Sequence, residues 1–302
     1  MGNLKFEKKE LRMLFRWSIR IFAIFALLTV RAIAATHYDA IYVFGDSYCD
    51  VGNIYLATSH ATPPSPPYYN GRFSNGPIWV EHVASAWGLP MLPSLTGGTD
   101  YAVGGAYVTK SISTPLGTIP SVPEQVGEYL TQHRGKADKD ALYIIEGGGN
   151  DILNATGVSP DELGLRIAAG IAGAELALRQ AGAKHFLIPD LLNVAMLPAA
   201  QANASFAAAA TNATNRSLDD LLALEQLLED VHIHRLDIFS LFQAIASDAT
   251  HFGFTNITAP CLNPITDAVC ADPDHTLFWD VEHPTEFGHA FFAVTVEAQL
   301  SR

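Results

Sequence analysis

Four short apolar runs, each stopped by glycine, proline or a polar loop, constrain what this chain can fold into more than any other feature. Ile41-Tyr42-Val43-Phe44 ends at Gly45, and Leu142-Tyr143-Ile144-Ile145 runs on toward Gly147-Gly148-Gly149. His185-Phe186-Leu187-Ile188 ends at Pro189, and a weaker run spans Ile233 to Ile238. Apolar runs this short, without polar alternation, are the pattern of strands buried on both faces. Longer segments with helical spacing separate them. Residues 161–181 follow Ser159-Pro160, a capping serine with proline in the first turn. Residues 216–230 follow Asn215 with leucines at helical spacing, and residues 284–299 open at Pro284. The alternation predicts an α/β fold with a mostly parallel central sheet. Ligands of such sheets bind beyond the carboxyl ends of the strands, so the residues just after each apolar run are the ones to inspect. The Pro-, Ser-, Tyr- and Asn-rich segment 58–78 is too long for a simple connection and is expected to be an ordered surface loop near that edge. No internal repeat or linker divides residues 35–302, which read as a single domain.

Apolar residues make up 49% and charged residues 16% of the 302-residue chain, enough to build a substantial core and incompatible with intrinsic disorder. The N-terminus differs from the rest. Residues 1–34 carry seven basic side chains against Glu7 and Glu10, a net of +5; taken from the whole-chain −13, this leaves −18 for the remainder. An acidic body of that kind repels phosphate backbones and excludes nucleic acid as a natural partner. The basic stretch ends at Arg20, an apolar segment runs from Ile21 to Val30, and Ala32-Ile33-Ala34 follows. This is the pattern of a secretory signal peptide over residues 1–34, with cleavage after Ala34. The apolar segment is too short to span a bilayer, so no stable membrane insertion is expected. The localisation implied is secreted, or periplasmic in a bacterium.

Export gives the cysteines meaning. Cys261 and Cys270 flank a short loop and are expected to form a disulfide, leaving Cys49 as a packed thiol in a tight turn. N-x-S/T sequons at Asn154, Asn203, Asn212, Asn215 and Asn256 could carry glycans only in a eukaryotic secretory path.

The first apolar run leads into Gly45-Asp46-Ser47-Tyr48-Cys49-Asp50. A serine in a glycine-containing turn at a strand end is exposed for nucleophilic attack, but needs a base oriented by a third group. Near the C-terminus, Asp280-Val281-Glu282-His283-Pro284 supplies both from one short loop. Asp280 can fix the imidazole tautomer of His283 while the other ring nitrogen faces Ser47. Donors for a tetrahedral oxyanion are available at Gly104-Gly105, where backbone N–H groups can approach closely, and at Asn150 after the triple glycine. Each motif alone could be an ordinary turn or helix cap.

Together, and in this order, the blocks resemble those of the GDSL (SGNH) hydrolases. Gly45-Asp46-Ser47 stands near the mature N-terminus, Gly149-Asn150-Asp151 in mid-chain and Asp280-x-x-His283-Pro284 near the end. The strings Phe44 to Asn53, Tyr69 to Pro77 and Tyr101 to Ala106 are most similar to the lipase-like branch, and the resemblance covers about residues 39–300. It implies a three-layer α/β/α sandwich, flavodoxin-like in style, and a serine esterase or lipase that uses no cofactor. In that reading Ser47 is the nucleophile, His283 the base and Asp280 its orienting acid. The oxyanion hole comprises the Ser47 amide, an amide from Gly104 or Gly105 with Gly104 favoured, and the Asn150 side chain. Two residues depart from the family pattern: Asp100, where Asn is frequent, and Glu146, where an apolar residue is usual. Both are expected to alter the acyl pocket.

The substrate class expected is a small-molecule or lipid ester. Acyl transfer to an alcohol through the same acyl-serine is the alternative, and a non-catalytic lipid- or glycan-binding module would have little reason to keep every catalytic part. His232, His234 and Asp237 form a His-x-His pattern of a kind more usual on a strand edge than at a metal, so no metal is expected. Oligomeric state is not encoded in any of these features.

Overall fold

The computed structural model describes residues 38–225 and 231–300. The expected signal segment, residues 1–34, lies outside the described residues, as do the last positions of the 216–230 helix.

Six strands occur among the described residues: β1 (Ile41–Phe44), β2 (Ile112–Thr114), β3 (Gly117–Ile119), β4 (Leu142–Ile145), β5 (His185–Pro189) and β6 (His232–Leu236). The central sheet has the order β1-β4-β5-β6 and every pair is parallel. β1 is not left as a bare edge. Tyr101 N–H donates to Val43 O at 2.8 Å and Val43 N–H to Thr99 O at 3.1 Å, so residues 99–101 run alongside it. β4 is buried at all four positions, as its unbroken apolar run requires. β2 and β3 form a separate antiparallel hairpin with Ile112 opposite Ile119.

The helices are α1 (Asn53–Ala57), α2 (Trp79–Ala86), α3 (Val122–Gln132), α4 (Gly149–Leu153), α5 (Pro160–Gln180), α6 (Ala204–Glu225), α7 (Ile238–Ser247) and α8 (Glu286–Leu300). They cover both faces. α3 packs on β1 and α5 on β4, with α6 against α5; α8 packs on β6 and against α2. On the α3 face, Tyr42, Tyr129 and Tyr143 form an aromatic layer, with centroids of 4.8 Å for Tyr42–Tyr129 and 5.9 Å for Tyr129–Tyr143. The hydroxyls of Tyr129 and Tyr143 are hydrogen-bonded at 2.9 Å, and Tyr143 donates to Asp138 O at 3.0 Å.

Three boundaries differ from the sequence reading. α8 begins at Glu286 rather than Pro284, which instead bridges to Phe278. β6 stops at Leu236 rather than Ile238, because Asp237 accepts from Ser240 N–H at 2.8 Å and caps α7. α6 begins at Ala204, twelve residues ahead of the leucine-spaced segment at 216. Its N-terminal half is alanine-rich, with high intrinsic propensity but little amphipathic contrast. Small side chains allow it to lie close on α5: a Cβ added to Gly164 would come within 2.6 Å of Ala213 Cβ. Asn215 is part of this packing, its amide bonded to both N–H and C=O of Leu191 at 2.8 and 2.9 Å.

Candidate active site

Three segments meet beyond the carboxyl ends of β1 and β4. The turn after β1 carries Ser47, the turn after β4 carries Asn150, and the loop before α8 carries Asp280 and His283. The first turn is held by groups distant in sequence. Gln125 on α3 accepts from Gly45 N–H and donates to Gly45 O, both at 2.9 Å. Asp50 accepts from the N–H groups of Gly52 and Ile54 at 2.7 and 3.0 Å, orienting the start of α1.

His283 Nε2 lies 2.7 Å from Ser47 Oγ, and Nδ1 lies 2.8 and 2.9 Å from the two Asp280 oxygens. All three side chains are buried, Ser47 with 6% of its surface exposed, so the interactions are poorly screened. Asp280 is further fixed by the N–H groups of Glu282 and His283, each at 2.8 Å, and by the Tyr68 hydroxyl at 2.7 Å. Burial pushes the Asp280 carboxyl up, but the charge of His283 and these hydrogen bonds outweigh it and hold it at about 2. Burial lowers the His283 imidazole, yet the Asp280 carboxylate, with smaller help from Glu282 and Asp46, leaves it raised above its ordinary value. Phe73 covers the ring of His283 at 4.9 Å between centroids. Tyr68 and Phe73 both come from the 58–78 loop.

The Gly104 N–H, the favoured oxyanion donor of the sequence reading, donates to Asp50 Oδ2 at 2.7 Å in this structure. Gly105, at φ 80°, is left with its N–H unpartnered among the described residues, as is Ser47. The Asn150 amide is anchored by donation to Ala106 O at 3.0 Å, with a longer 3.3 Å contact to Asp46 Oδ2. Ser47, Gly104, Gly105, Asn150 and His283 line one cleft of about 540 Å³, together with Ile54, Phe73 and the β2–β3 tip.

Asp100 and Glu146 do not line this cleft. Asp100 is fully buried and accepts from Val51 and Ala102 N–H groups at 2.8 and 2.9 Å, holding residues 99–102 against the nucleophile turn. Glu146 and Asp46 both line a small, mainly apolar cavity of about 50 Å³ behind the site. Burial raises both carboxyls, and Glu146 is raised further by the charge of Asp46. Cys49 is buried, with its thiol 3.6 Å from Glu146 Oε2, and burial pushes it well above its ordinary value, which makes it a poor rival nucleophile. Cys261 and Cys270 are disulfide-bonded. His232 stacks on His185 at 5.1 Å.

A sequence model described as GDSL-like Lipase/Acylhydrolase matches residues 41–295. The chain belongs to that family. Membership classes this GDSL hydrolase with the carboxylic ester hydrolases that use a serine nucleophile. Among curated relatives, it is 27% identical over 275 residues to the thermolabile hemolysin of Vibrio parahaemolyticus, covering 84% of this chain and 62% of that protein. It is 25% identical over 320 residues to the phosphatidylcholine-sterol acyltransferase of Aeromonas hydrophila, covering 91% and 94% respectively. A GDSL-family lipolytic protein from Veillonella parvula superposes with a TM-score of 0.49 at 14% identity, over 87% of this chain and 98% of that one. The GDSL chain thus spans 62% of the length of the hemolysin and nearly all of the acyltransferase. Among its described residues no helix is long and apolar enough to cross a membrane.

Proposed function

We propose that this chain is a secreted serine ester hydrolase in which Ser47, His283 and Asp280 form the triad. The observation that carries the reading is the continuous chain of short contacts from Ser47 Oγ through the imidazole to Asp280. Ser47 Oγ attacks the ester carbonyl carbon as its proton passes to His283 Nε2, while Nδ1–H donates to Asp280. The carbonyl π bond opens to a tetrahedral oxyanion that accepts from Ser47 N–H and Gly105 N–H, and from Asn150 Nδ2 once its 3.3 Å contact to Asp46 Oδ2 is given up. On collapse the carbon–oxygen bond to the alcohol breaks, His283 returns the proton to that oxygen, and acyl-Ser47 is left. Water then repeats the sequence: His283 removes its proton, the acid is released and Ser47 Oγ is reprotonated.

Export is supported by the basic-apolar-Ala-x-Ala pattern of residues 1–34 and by the Cys261–Cys270 disulfide, which suits an oxidising compartment. The expected substrate is a small-molecule or lipid ester, and neither a cofactor nor nucleic acid enters the scheme.

The decisive test is turnover of p-nitrophenyl esters by purified protein. Ser47→Ala and His283→Ala are each expected to remove nearly all activity, because nucleophile and base act as a unit, and Asp280→Asn to leave more than either. Ser47→Ala within a few-fold of the parent would overturn the assignment. A second reading, acyl transfer to an alcohol, is favoured by one observation: the match to the Aeromonas hydrophila phosphatidylcholine-sterol acyltransferase extends over 94% of that protein. Product analysis with and without an added sterol separates the two, since transfer yields a sterol ester and hydrolysis only the free acid.

A further inference from the structure

The β2–β3 hairpin has no part in the acid–base chemistry, yet its tip stands in the wall of the cleft that holds Ser47. Thr114, Pro115, Leu116 and Ile119 all line that cleft. The turn is closed by Thr114 Oγ1, which donates to Gly117 O at 2.8 Å and accepts from Leu116 N–H at 3.2 Å. This holds Leu116 at the tip with 60% of its surface exposed. An aliphatic side chain held in water at the mouth of a reaction cleft is covered favourably only by something apolar.

The position of the hairpin says which part of an ester would cover it. The alcohol oxygen must lie within reach of His283 Nε2 to receive its proton, on the side that Phe73 and Glu282 border. The carbonyl oxygen is directed at Gly105. Ile119 packs directly on that glycine, its Cδ1 3.3 Å from where a Gly105 Cβ would stand. With the carbonyl oxygen at Gly105 and the alcohol oxygen at His283, the apolar wall of the cleft left to the acyl substituent is the one that Ile119 and Leu116 help to form. Among the described residues no lysine or arginine lines the cleft, and its one carboxylate is Glu282, next to His283 in sequence. An acyl chain carrying negative charge would find no partner there.

Accepting Ser47 as the nucleophile, we propose that the β2–β3 hairpin is the acyl-chain wall of this enzyme, with Ile119 and Leu116 selecting esters whose uncharged aliphatic acyl chain reaches across Leu116. Acetyl groups end before the tip; longer chains cover it.

The test is the chain-length profile of kcat/KM on p-nitrophenyl acetate, butanoate, hexanoate and octanoate, for the parent and for Leu116→Ala. A methylene moved from water to an apolar wall is worth about 0.8 kcal/mol, or up to roughly fourfold in kcat/KM when fully covered. The parent profile should rise with length. Leu116→Ala should flatten it, lowering octanoate by roughly tenfold through loss of apolar cover, with acetate unchanged within about twofold. Leu116→Met, which restores an apolar chain, should recover most of the slope. A tip side chain this exposed can be shortened without unfolding the protein, and an unchanged melting temperature checks that. Equal losses on every ester, or an unchanged slope, would overturn the proposal. The nucleophile assignment fails separately, if Ser47→Ala keeps its activity; the slope with and without Leu116 still decides the hairpin. Absence of turnover on every ester would overturn both.

Discussion

The Asp280 carboxyl is lowered and the His283 imidazole raised for the same reason, the charge of one beside the other among buried side chains. For activity the sign is fixed by His283, which must be neutral to take the Ser47 proton; activity therefore rises with pH through its pKa. Because Asp280 and the acids beyond it raise that pKa, the acid limb of kcat/KM is expected to have its midpoint above about 6.5, the ordinary value for histidine. Asp280→Asn removes the largest raising charge and should move the midpoint down while lowering the plateau. A profile between pH values of about 5 and 9 decides it, and a midpoint that ignores Asp280→Asn would contradict the geometry. At this scale the strings Gly45-Asp46-Ser47 and Asp280-x-x-His283 were legible, since each joins reactive residue types to a turn. Tyr68 was not, because its partner Asp280 lies 212 positions away. The choice between Gly104 and Gly105 was equally hidden: it turns on Asp50, whose carboxylate claims one N–H and leaves the other.

The element that carries the base is tied to the disulfide loop. Cys261 N–H donates to Phe278 O at 3.0 Å, Leu262 N–H to Trp279 O at 2.7 Å, and Trp279 N–H to His283 O at 2.7 Å. Cys261, Leu262 and Trp279 also form a small apolar cluster against Tyr68, the residue that steadies Asp280. The bridge, nine positions apart in sequence, is expected to stabilise by roughly 2–3 kcal/mol through restriction of the unfolded chain. Reduction should lower ester turnover at temperatures where far-UV circular dichroism is still native. Full activity with both thiols free by alkylation mapping would show that the base loop holds itself. β1, β4 and β5 were readable as apolar runs because burial on both faces leaves little else in them, whereas β6, with His232, His234 and Arg235 not fully buried, gave a weaker signal. The β2–β3 hairpin was not, since its burial is only partial and its signal is three residues per strand. The early start of α6 escaped for a different reason: alanine packing against Gly164 produces no hydrophobic stripe.

At the scale of the whole molecule, the sequence divides into a basic, apolar N-terminal segment and an acidic body. If residues 1–34 direct export, Edman sequencing of protein recovered outside the cell should begin at Ala35. A retained Met1 on exported protein would count against cleavage. The fold class could be anticipated from alternation alone, because parallel strands demand crossovers and helices provide them. The edge beside β1 could not, since residues 99–101 pair there through backbone groups that any side chains would allow.

The hydrogen bond between His283 and Ser47 joins positions 236 residues apart. Synthesis therefore delivers the nucleophile well before its base. A ribosome-bound chain with β1 and its turn already emerged has a serine hydroxyl and nothing to deprotonate it. Ester chemistry cannot begin until the loop before α8 has been made and has docked across the top of the sheet. Turnover is thus a reporter of docking: any refolding experiment that follows product release is timing the arrival of the base-bearing loop, not the formation of the sheet beneath it.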